Sequence, residues 1–264
     1  MLRTLSDWLT DLARPRPQAR HVPRGIRHYW INPDAEADRA AWMHAQFDRA
    51  GIAHQRVSAR TPDDLPSMVL PRRHGATPLQ LACLASHFAA LENAVAGGDE
   101  VFVVMEDDMT VPFDVDFGRL IPTAPVRWEI LQLYVVNAER LQAMYTRSYR
   151  RERLWERWTI KNHSTGAYVC SRGAAQKLLA RFVRDGAIDL TRYRGFPVAD
   201  EVLYRPLRTY TATYPLYVEN ADFSSTLNSL RRLHLATHEA IREIWNAGAH
   251  PPFARPLDAV REPA

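Results

Sequence analysis

The chain has 264 residues, a formal net charge of +4, 46% hydrophobic residues and 24% charged residues. These values lie close to the averages for globular proteins, so they exclude wholesale disorder, and the length suits one large α/β domain or two small ones. The positive charge comes mainly from Arg, which suits phosphates and anionic glycans, but the excess is too small to indicate nucleic-acid binding.

Cysteine content and hydropathy indicate the cellular compartment of the protein. Cys83 and Cys170 are the two cysteines of the chain, and both fall in apolar patterns, which argues against a disulfide framework. No segment approaches the roughly 18 to 20 uninterrupted apolar residues of a membrane span. Asp7 and Asp11 interrupt the N-terminal segment, unlike the core of a signal peptide. The sequence therefore predicts a cytoplasmic protein.

Three regions are expected along the chain. Residues 1–20 have leucines at helical spacing followed by a basic, Pro-containing linker. This amphipathic helix either packs on its own domain or a partner, or lies at the inner face of a membrane through residues 1–14. Residues 21–249 form the main domain, and residues 250–264 are a Pro-rich, loosely packed tail.

The main domain opens with a β-α-β pattern. A strand at 26–31 leads into a helix with Asp34 as a candidate N-cap and Gly51 as its C-cap, and a second strand covers 52–58. Such a unit predicts a parallel sheet with crossover helices. Thr77-Pro78-Leu79-Gln80 has the form of a capping box and predicts a helix that runs to Gly97.

Later elements alternate in the same way. Strands are expected near 129–136, 167–170 and 213–218, and helices after Ser171 and from about residue 230. His234 and His238 on the last helix are expected to be surface residues. The segment 147–158 interleaves Arg with aromatic residues, which suits either contact with sugar rings and anions or a partly exposed helix.

Three consecutive acids end the apolar run that starts at Val101, which is expected to be a buried strand. Glu106, Asp107 and Asp108 would lie at the carboxyl edge of the sheet, where open α/β sheets bind ligands. They suit a divalent cation that holds a diphosphate, or alternatively a solvated, capped turn. In an extended strand, Glu106 and Asp108 point to one side and Asp107 to the other.

The order of short motifs resembles glycosyltransferase family 25, which includes bacterial lipooligosaccharide galactosyltransferases. The resemblance runs from about residue 26 to residue 227, and its most specific part is the acidic triplet. The matching motifs are Tyr29-Trp-Ile31-Asn32, Asp38-Arg39, Cys83-Leu-Ala-Ser86-His87, Glu106-Asp107-Asp108, Gly166-Ala-Tyr168-Val-Cys-Ser171-Arg-Gly173-Ala174, Pro197-Val-Ala-Asp200 and Ser225-Thr226.

This resemblance implies a GT-A-like, Rossmann-like α/β domain with a mostly parallel sheet that binds a nucleotide sugar. It also implies transfer of a hexose, most simply galactose, from a UDP-sugar donor to a glycan acceptor such as lipopolysaccharide. The acceptor would be lipid-linked or protein-linked, and no nucleic acid is involved. The expected cofactor is Mn²⁺ or Mg²⁺, and the implied reaction is a single displacement with inversion.

Site residues follow from the motifs and their places in the pattern. Glu106 and Asp108 are expected to bind the metal, and Asp200 or Glu201 to act as general base. The expected contacts to the nucleotide-sugar donor are Asn32, Arg39, His87 and Asp107.

Each assignment has a structural alternative. Arg39 could instead pair with a nearby acid, and Asp200 and Glu201 could simply open a short helix. His87 could be a buried, hydrogen-bonded residue. Its spacing from Cys83 could place both residues on one metal, but with two cysteines in the chain and no second ligand pair the sequence does not favour zinc.

The chain departs from the family pattern at two positions. Gln80 stands where the family usually has Glu, and Pro33 stands where it commonly has Leu. If the family Glu only caps the helix, Gln replaces it; if it binds substrate, activity changes. These departures support an alternative function, an inactive glycosyltransferase-like module that binds an anionic glycan or a partner protein.

Overall fold

The computed structural model describes residues 22–71, 75–223 and 231–257. The expected N-terminal helix, with its membrane contact through residues 1–14, and Ser225-Thr226 lie outside these residues. Within them, no helix combines the length and the apolar character needed to cross a membrane. The described helices are α1 (Ala37–Ala50), α2 (Pro78–Ala96), α3 (Phe117–Leu120), α4 (Ala138–Arg147), α5 (Arg172–Phe182), α6 (Ala199–Tyr204) and α7 (Arg231–Asn246).

The strands are mostly short. In chain order they are β1 (His28–Asn32), β2 (His54–Ser58), β3 (Met68–Val69), β4 (Val101–Glu106), β5 (Met109–Thr110), β6 (Phe113–Val115), β7 (Ile130–Gln132), β8 (Trp155–Arg157), β9 (Ala167–Ser171), β10 (Val183–Arg184), β11 (Ala187–Asp189), β12 (Thr209–Ala212), β13 (Val218–Glu219) and β14 (Ala254–Pro256).

A seven-stranded sheet in the order β2-β1-β4-β9-β7-β12-β8 forms the centre of the domain. Strands β2, β1 and β4 are parallel, as are β7 and β12. Strand β9 is antiparallel to both of its neighbours, and β8 is antiparallel to β12. The α/β class is confirmed, and the sheet is mixed because β9 reverses direction at its centre.

Helices cover both faces of this sheet. Tyr29 and Phe102 join the core cluster that contains α2, α5 and α6, whereas Trp30 and Val103 join the cluster that contains α1, α4 and α7. Neighbouring residues on one strand thus enter opposite cores, as the two-residue period of a strand requires. Burial on both faces explains why β4 is a continuous apolar run.

The helix ends follow the predicted capping chemistry in most places. Thr77 Oγ1 accepts a hydrogen bond from the Gln80 amide, and Gln80 Oε1 accepts one from the Thr77 amide, so the capping box is complete. Gly51 adopts the left-handed conformation after α1, at φ 62°. The N-cap expected at Asp34 is wrong, because α1 begins at Ala37.

Several other expectations also differ from the structure. The strand predicted at 213–218 is replaced by β12 and β13, which flank it, and the helix considered for 147–158 is instead a 3₁₀ turn followed by β8. The described part of the Pro-rich segment is packed on the domain: Ala254–Pro256 pairs with β6, and Phe253 is buried. The domain boundary at residue 250 stays a prediction.

The ends of β1 and β4 and the start of β9 lie together at one edge of the sheet. The carboxyl ends of β1 and β4 lie there because those strands are parallel. The start of β9 reaches the same edge because β9 is antiparallel to β4, and the Glu106 amide donates to the Gly166 carbonyl at 2.9 Å. A Cβ atom at Gly166 would lie 2.6 Å from Met109 Sδ and 2.9 Å from Tyr134 Cδ1, so any larger residue would displace these neighbours.

Candidate active site

The acidic triplet divides between two environments. Asp107 is buried, and its two carboxylate oxygens accept hydrogen bonds from Asn32 Nδ2 at 2.7 Å and Arg39 Nη1 at 3.0 Å. Arg39 is itself buried and lies over the ring of Phe223, 5.1 Å from its centroid. Asp107 therefore connects the end of β4 to the loop between β1 and α1.

Glu106 lies on the other side of the strand end. Its carboxylate accepts a hydrogen bond from Thr165 Oγ1 at 2.7 Å, and Oε1 lies 3.4 Å from His87 Nε2. Burial alone would raise the pKa of Glu106, but the interactions with His87 and Thr165 outweigh it and hold the pKa below its usual value. Glu106 is therefore ionised at neutral pH.

Asp108 is buried among like charges. Burial raises its pKa well above the usual value, and the nearby carboxylates of Glu106, Glu219 and Asp107 add to the increase. Within the part of the chain that the structure describes, no side chain donates a hydrogen bond to the Asp108 carboxylate. A cation beside Asp108 would relieve this repulsion and favour the charged form.

Glu219 is a further acid at the site, which the sequence analysis missed. It ends β13, opposite Met109 of β5, and is buried. Tyr134 Oη donates to it at 3.3 Å, and its carboxylate is hydrogen-bonded to His234 Nδ1. The available signal was an apolar run, 214–218, that ends in an acid, the same pattern that ends β4.

His234 is not a plain surface residue, and that expectation is wrong. Its hydrogen bond to Glu219 raises its pKa, against the lowering effect of burial. The ring is positioned by α7, whose apolar face packs Ile241 and Ile244 into the core. The last helix of the described chain thus contributes to the same site as the acidic triplet.

Two cavities lie beside the acids. The smaller one, about 100 Å³, is bounded by the loop after β1 and by α2, and the larger one measures about 430 Å³. Cys83, Glu106 and Asp108 line both of them. The larger cavity is further lined by Gln80, Met109, Tyr134, Val136, Ile160, His163, Ser164, Thr165, Gly166, Phe196, Val198, Ala199, Asp200, Glu201, Glu219, Leu233 and His234.

The candidate bases Asp200 and Glu201 lie in the first turn of helix α6, in agreement with the alternative that they open a short helix. Both residues also line the larger cavity. Asp200 Oδ2 lies 3.8 Å from His163 Nδ1, and the interaction with this carboxylate raises the pKa of His163. Glu201 is buried with Oε2 at 3.1 Å from Arg205 Nη2. Asp200 Oδ1 also accepts a hydrogen bond from the Glu201 amide at 3.0 Å, so both carboxylates have partners within the protein.

The predicted donor contacts fall into two groups. Asn32, Arg39 and Asp107 form one buried network, and Arg39 and Asp107 line the smaller cavity. His87 is fully buried, with Nδ1 3.3 Å from Tyr168 Oη, and it lines that cavity from the side of α2. The structure therefore places these residues together with Glu106 and Asp108.

The two departures from the family pattern have different structural settings. Gln80 completes the capping box of α2 and at the same time lines the larger cavity. Pro33 lines the smaller cavity at the start of the first loop. That loop is nevertheless fixed, because the Asp34 carboxylate accepts hydrogen bonds from Arg56 at 2.6 Å and from Ser58 at 2.9 Å.

The basic, aromatic segment has a structural role. Trp155 Nε1 donates to Thr123 Oγ1 at 2.9 Å, and Glu156 forms a hydrogen-bonded ion pair with Arg140. Among the strands that the structure describes, β8 pairs with β12 alone and forms one edge of the sheet. None of the residues 147–158 lines either of the two cavities.

A sequence profile of glycosyltransferase family 25, described as an LPS biosynthesis protein family, matches residues 26–190. The match covers more than half of the chain. This chain belongs to glycosyltransferase family 25. The matched part of this family 25 chain includes Asn32, Arg39, His87 and the acidic triplet, and it ends before Asp200. No curated protein matches the chain significantly.

Solved structures show weaker similarity to this family 25 protein. One is a crystal structure of a glycosyltransferase involved in the glycosylation of the major capsid of PBCV-1, with 11% identity and a TM-score of 0.42 over 82% of this chain and 98% of the other. Another is mouse xyloside xylosyltransferase 1 in its apo form, with 8% identity and a TM-score of 0.32 over 67% and 66% of the two chains.

Proposed function

We propose that this protein is a metal-dependent hexosyltransferase of the GT-A type. Its donor is a UDP-sugar, most simply UDP-galactose, and its acceptor is a lipid-linked or protein-linked glycan such as lipopolysaccharide. The reaction is a single displacement with inversion at the anomeric carbon. The observation that carries the proposal is a group of three carboxylates, buried Asp108 and Glu219 and half-buried Glu106, that borders cavities at the ligand-binding edge of the sheet.

The donor atoms in this group fit Mn²⁺ or Mg²⁺. Carboxylate oxygens are the ligands these hard cations prefer, and a bound cation would offset the effects of burial and of neighbouring carboxylates that raise the pKa of Asp108. Glu106 and Asp108 would hold the ion, and Glu219 is a further candidate ligand. Such an ion, when bound, neutralises charge that develops on the departing diphosphate, an effect of several kcal/mol.

The smaller cavity is suited to the nucleotide part of the donor. It is lined by Arg39 and Arg60, whose guanidinium groups favour phosphate oxygens, and by Pro33 at the turn of the first loop. Asp107 fixes Arg39 and Asn32 in place. Because Asp107 accepts two hydrogen bonds from the protein, its role is to position this loop rather than to hold the metal.

The larger cavity is suited to the transferred sugar and the acceptor. Phe196 and Ile160 are 41% and 46% exposed, and their apolar surfaces suit sugar rings. In the proposed step the acceptor hydroxyl attacks the anomeric carbon, the bond from that carbon to the phosphate oxygen breaks, and the hydroxyl proton moves to Asp200. His163 beside Asp200 orients that carboxylate.

A thermal-shift titration with UDP tests the proposal. We expect UDP or UDP-galactose to raise the melting temperature only when Mn²⁺ or Mg²⁺ is present, because a ligand bound to the folded state stabilises it. Asp108→Asn should abolish the metal-dependent shift. Glu92→Gln is the matched control, because it removes the same charge from an exposed position on α2.

Transfer itself is then measured as UDP release with a panel of hexose-terminated glycans. Metal-dependent release that requires one acceptor class supports the proposed reaction. If no nucleotide shifts the wild-type melting temperature with either metal ion, the hexosyltransferase function is wrong. If UDP binds but no acceptor is glycosylated, the inactive binding module becomes the better description of this chain.

A further inference from the structure

Three different donor atoms meet where helix α2 approaches the end of β4. Cys83 Sγ, a ring nitrogen of His87 and a Glu106 carboxylate oxygen all lie within 4.8 Å of one another. Cys83 and His87 are one helical turn apart, so α2 presents both on the same face. Glu106 supplies the third atom from a different element, which the spacing of Cys83 and His87 alone did not reveal.

His87 lacks a hydrogen-bond partner at the nitrogen that points toward this group. Its ring is fully buried, and Nε2 has no hydrogen-bond partner, although Glu106 Oε1 lies 3.4 Å away. On the opposite side of the ring, Nδ1 is 3.3 Å from Tyr168 Oη. Leaving a buried nitrogen without a hydrogen-bond partner is unfavourable, so the arrangement favours a ligand at Nε2.

The surrounding contacts orient the other two groups. Thr165 Oγ1 donates to Glu106 Oε1 at 2.7 Å, so the carboxylate has a defined orientation. Cys83 is half-buried and lines both cavities, which therefore offer an ion a route toward this residue. A bond from Nδ1 to a hydroxyl group is the kind of contact that orients a histidine for metal binding through Nε2.

We propose that Cys83, His87 and Glu106 form a Zn²⁺ site. One sulfur, one imidazole nitrogen and one carboxylate oxygen match the ligand types of zinc, whereas Mn²⁺ and Mg²⁺ prefer sites made of oxygen. Three protein ligands leave the fourth tetrahedral position for water from the adjoining cavities. The Cys83 thiol binds as the thiolate, and its proton is released to solvent.

Occupancy of this site has a consequence that rests on the proposed function. Glu106 cannot serve fully in two coordination spheres, so Zn²⁺ on Cys83 and His87 would draw it away from Asp108. Zinc is then an inhibitor of metal-dependent UDP binding. The zinc site itself does not depend on the transferase activity.

Cobalt provides a direct probe of the thiolate ligand. We expect metal-free protein titrated with Co²⁺ to develop the near-ultraviolet absorption of a cobalt–thiolate bond, and added Zn²⁺ to remove it. Cys83→Ser should abolish the absorption, and His87→Gln should weaken Zn²⁺ binding at least about tenfold in competition with a chromophoric chelator. Cys170→Ala is the control, because Cys170 lies on β9 with its thiol buried in the core, where it donates to the Ser171 carbonyl.

Separate readouts distinguish failure of this site from failure of the proposed function. A cobalt–thiolate signal that is absent from wild type, or that persists in Cys83→Ser while that variant melts cooperatively, overturns the zinc site. A signal without any metal-dependent shift by UDP leaves the zinc site supported and the transferase function wrong. Inhibition is supported if Zn²⁺ removes the shift that UDP produces with Mn²⁺ in wild type and in Cys170→Ala, and is overturned if the shift survives saturation with zinc.

Discussion

Asn32 Nδ2 donates a hydrogen bond to Asp107 Oδ2 over 2.7 Å, which joins the end of β1 to the acidic triplet after β4. Asn32 Oδ1 also accepts from Arg56 Nε at 2.8 Å, so the same side chain reaches β2. Three parallel strands are thus connected at their carboxyl ends by one amide. The first loop is held in place before any ligand binds.

Asp107→Asn tests whether this network is structural. The substitution keeps the size of the side chain but removes the charge opposite the buried guanidinium of Arg39, which should lower the free energy of unfolding by about 3 kcal/mol. Urea denaturation measures this change. Asp34→Asn is the control, because its ion pair with Arg56 is exposed, and we expect no measurable loss. Equal effects of the two substitutions would contradict the structural role of Asp107.

Asp200→Asn addresses the proposed general base. The amide cannot accept the acceptor proton, so kcat should fall by about 10² to 10⁴, while the shift in melting temperature with UDP and metal stays. Glu201→Gln should instead act mainly on stability, because it removes the partner of Arg205. A normal kcat in Asp200→Asn, measured as UDP release at saturating acceptor, would place the base elsewhere.

Gln80 tests whether the first departure from the family pattern alters function. Gln80→Glu keeps the N3 cap and suits the positive end of the helix, so stability should stay within about 0.5 kcal/mol of wild type. Thr77→Ala removes the reciprocal cap and should cost about 1 kcal/mol. Both are measured by chemical denaturation. UDP binding that appears only in Gln80→Glu would show that this position controls donor binding.

His28 makes stability depend on pH. Burial lowers its pKa from 6.5 to about 4, and the ring is hydrogen-bonded to the Ile26 carbonyl and to Tyr217 Oη. Between these values the unfolded chain binds more protons, so stability rises with pH across this window. The contribution, about 3 kcal/mol, is fully present above pH 6.5 and is lost as the pH falls toward 4.

In His28→Gln the free energy of unfolding should therefore fall less steeply between pH 6.5 and pH 4 than in wild type. Denaturation at a series of pH values measures this slope. Tyr217→Phe is the matched control, because it removes one hydrogen-bond partner but leaves the buried imidazole. It should lower stability while keeping the slope. An unchanged slope in His28→Gln would mean that other groups cause the acid sensitivity.

Local pattern was enough to predict the elements that form the site. The apolar run before Glu106, the capping box at Thr77 and the glycine at position 51 each specify a conformation through neighbouring residues, and each is present in the structure. Alternation along an extended strand also predicted that Glu106 and Asp108 share one side, but β4 ends at Glu106, and Asp107 and Asp108 form a turn. Their chemical roles stay predictions.

Tertiary structure decided which side chains of these elements come into contact. The direction of β9 is set by pairing with distant strands, and no local pattern in 167–171 specifies it. Glu219 and His234 reach the acids only because β13 pairs with β5 and α7 packs on the core. Glu106 likewise completes the group with Cys83 and His87 across two elements. The sequence by itself determined the local conformation and chemistry of each segment, whereas long-range packing decided which side chains share a site.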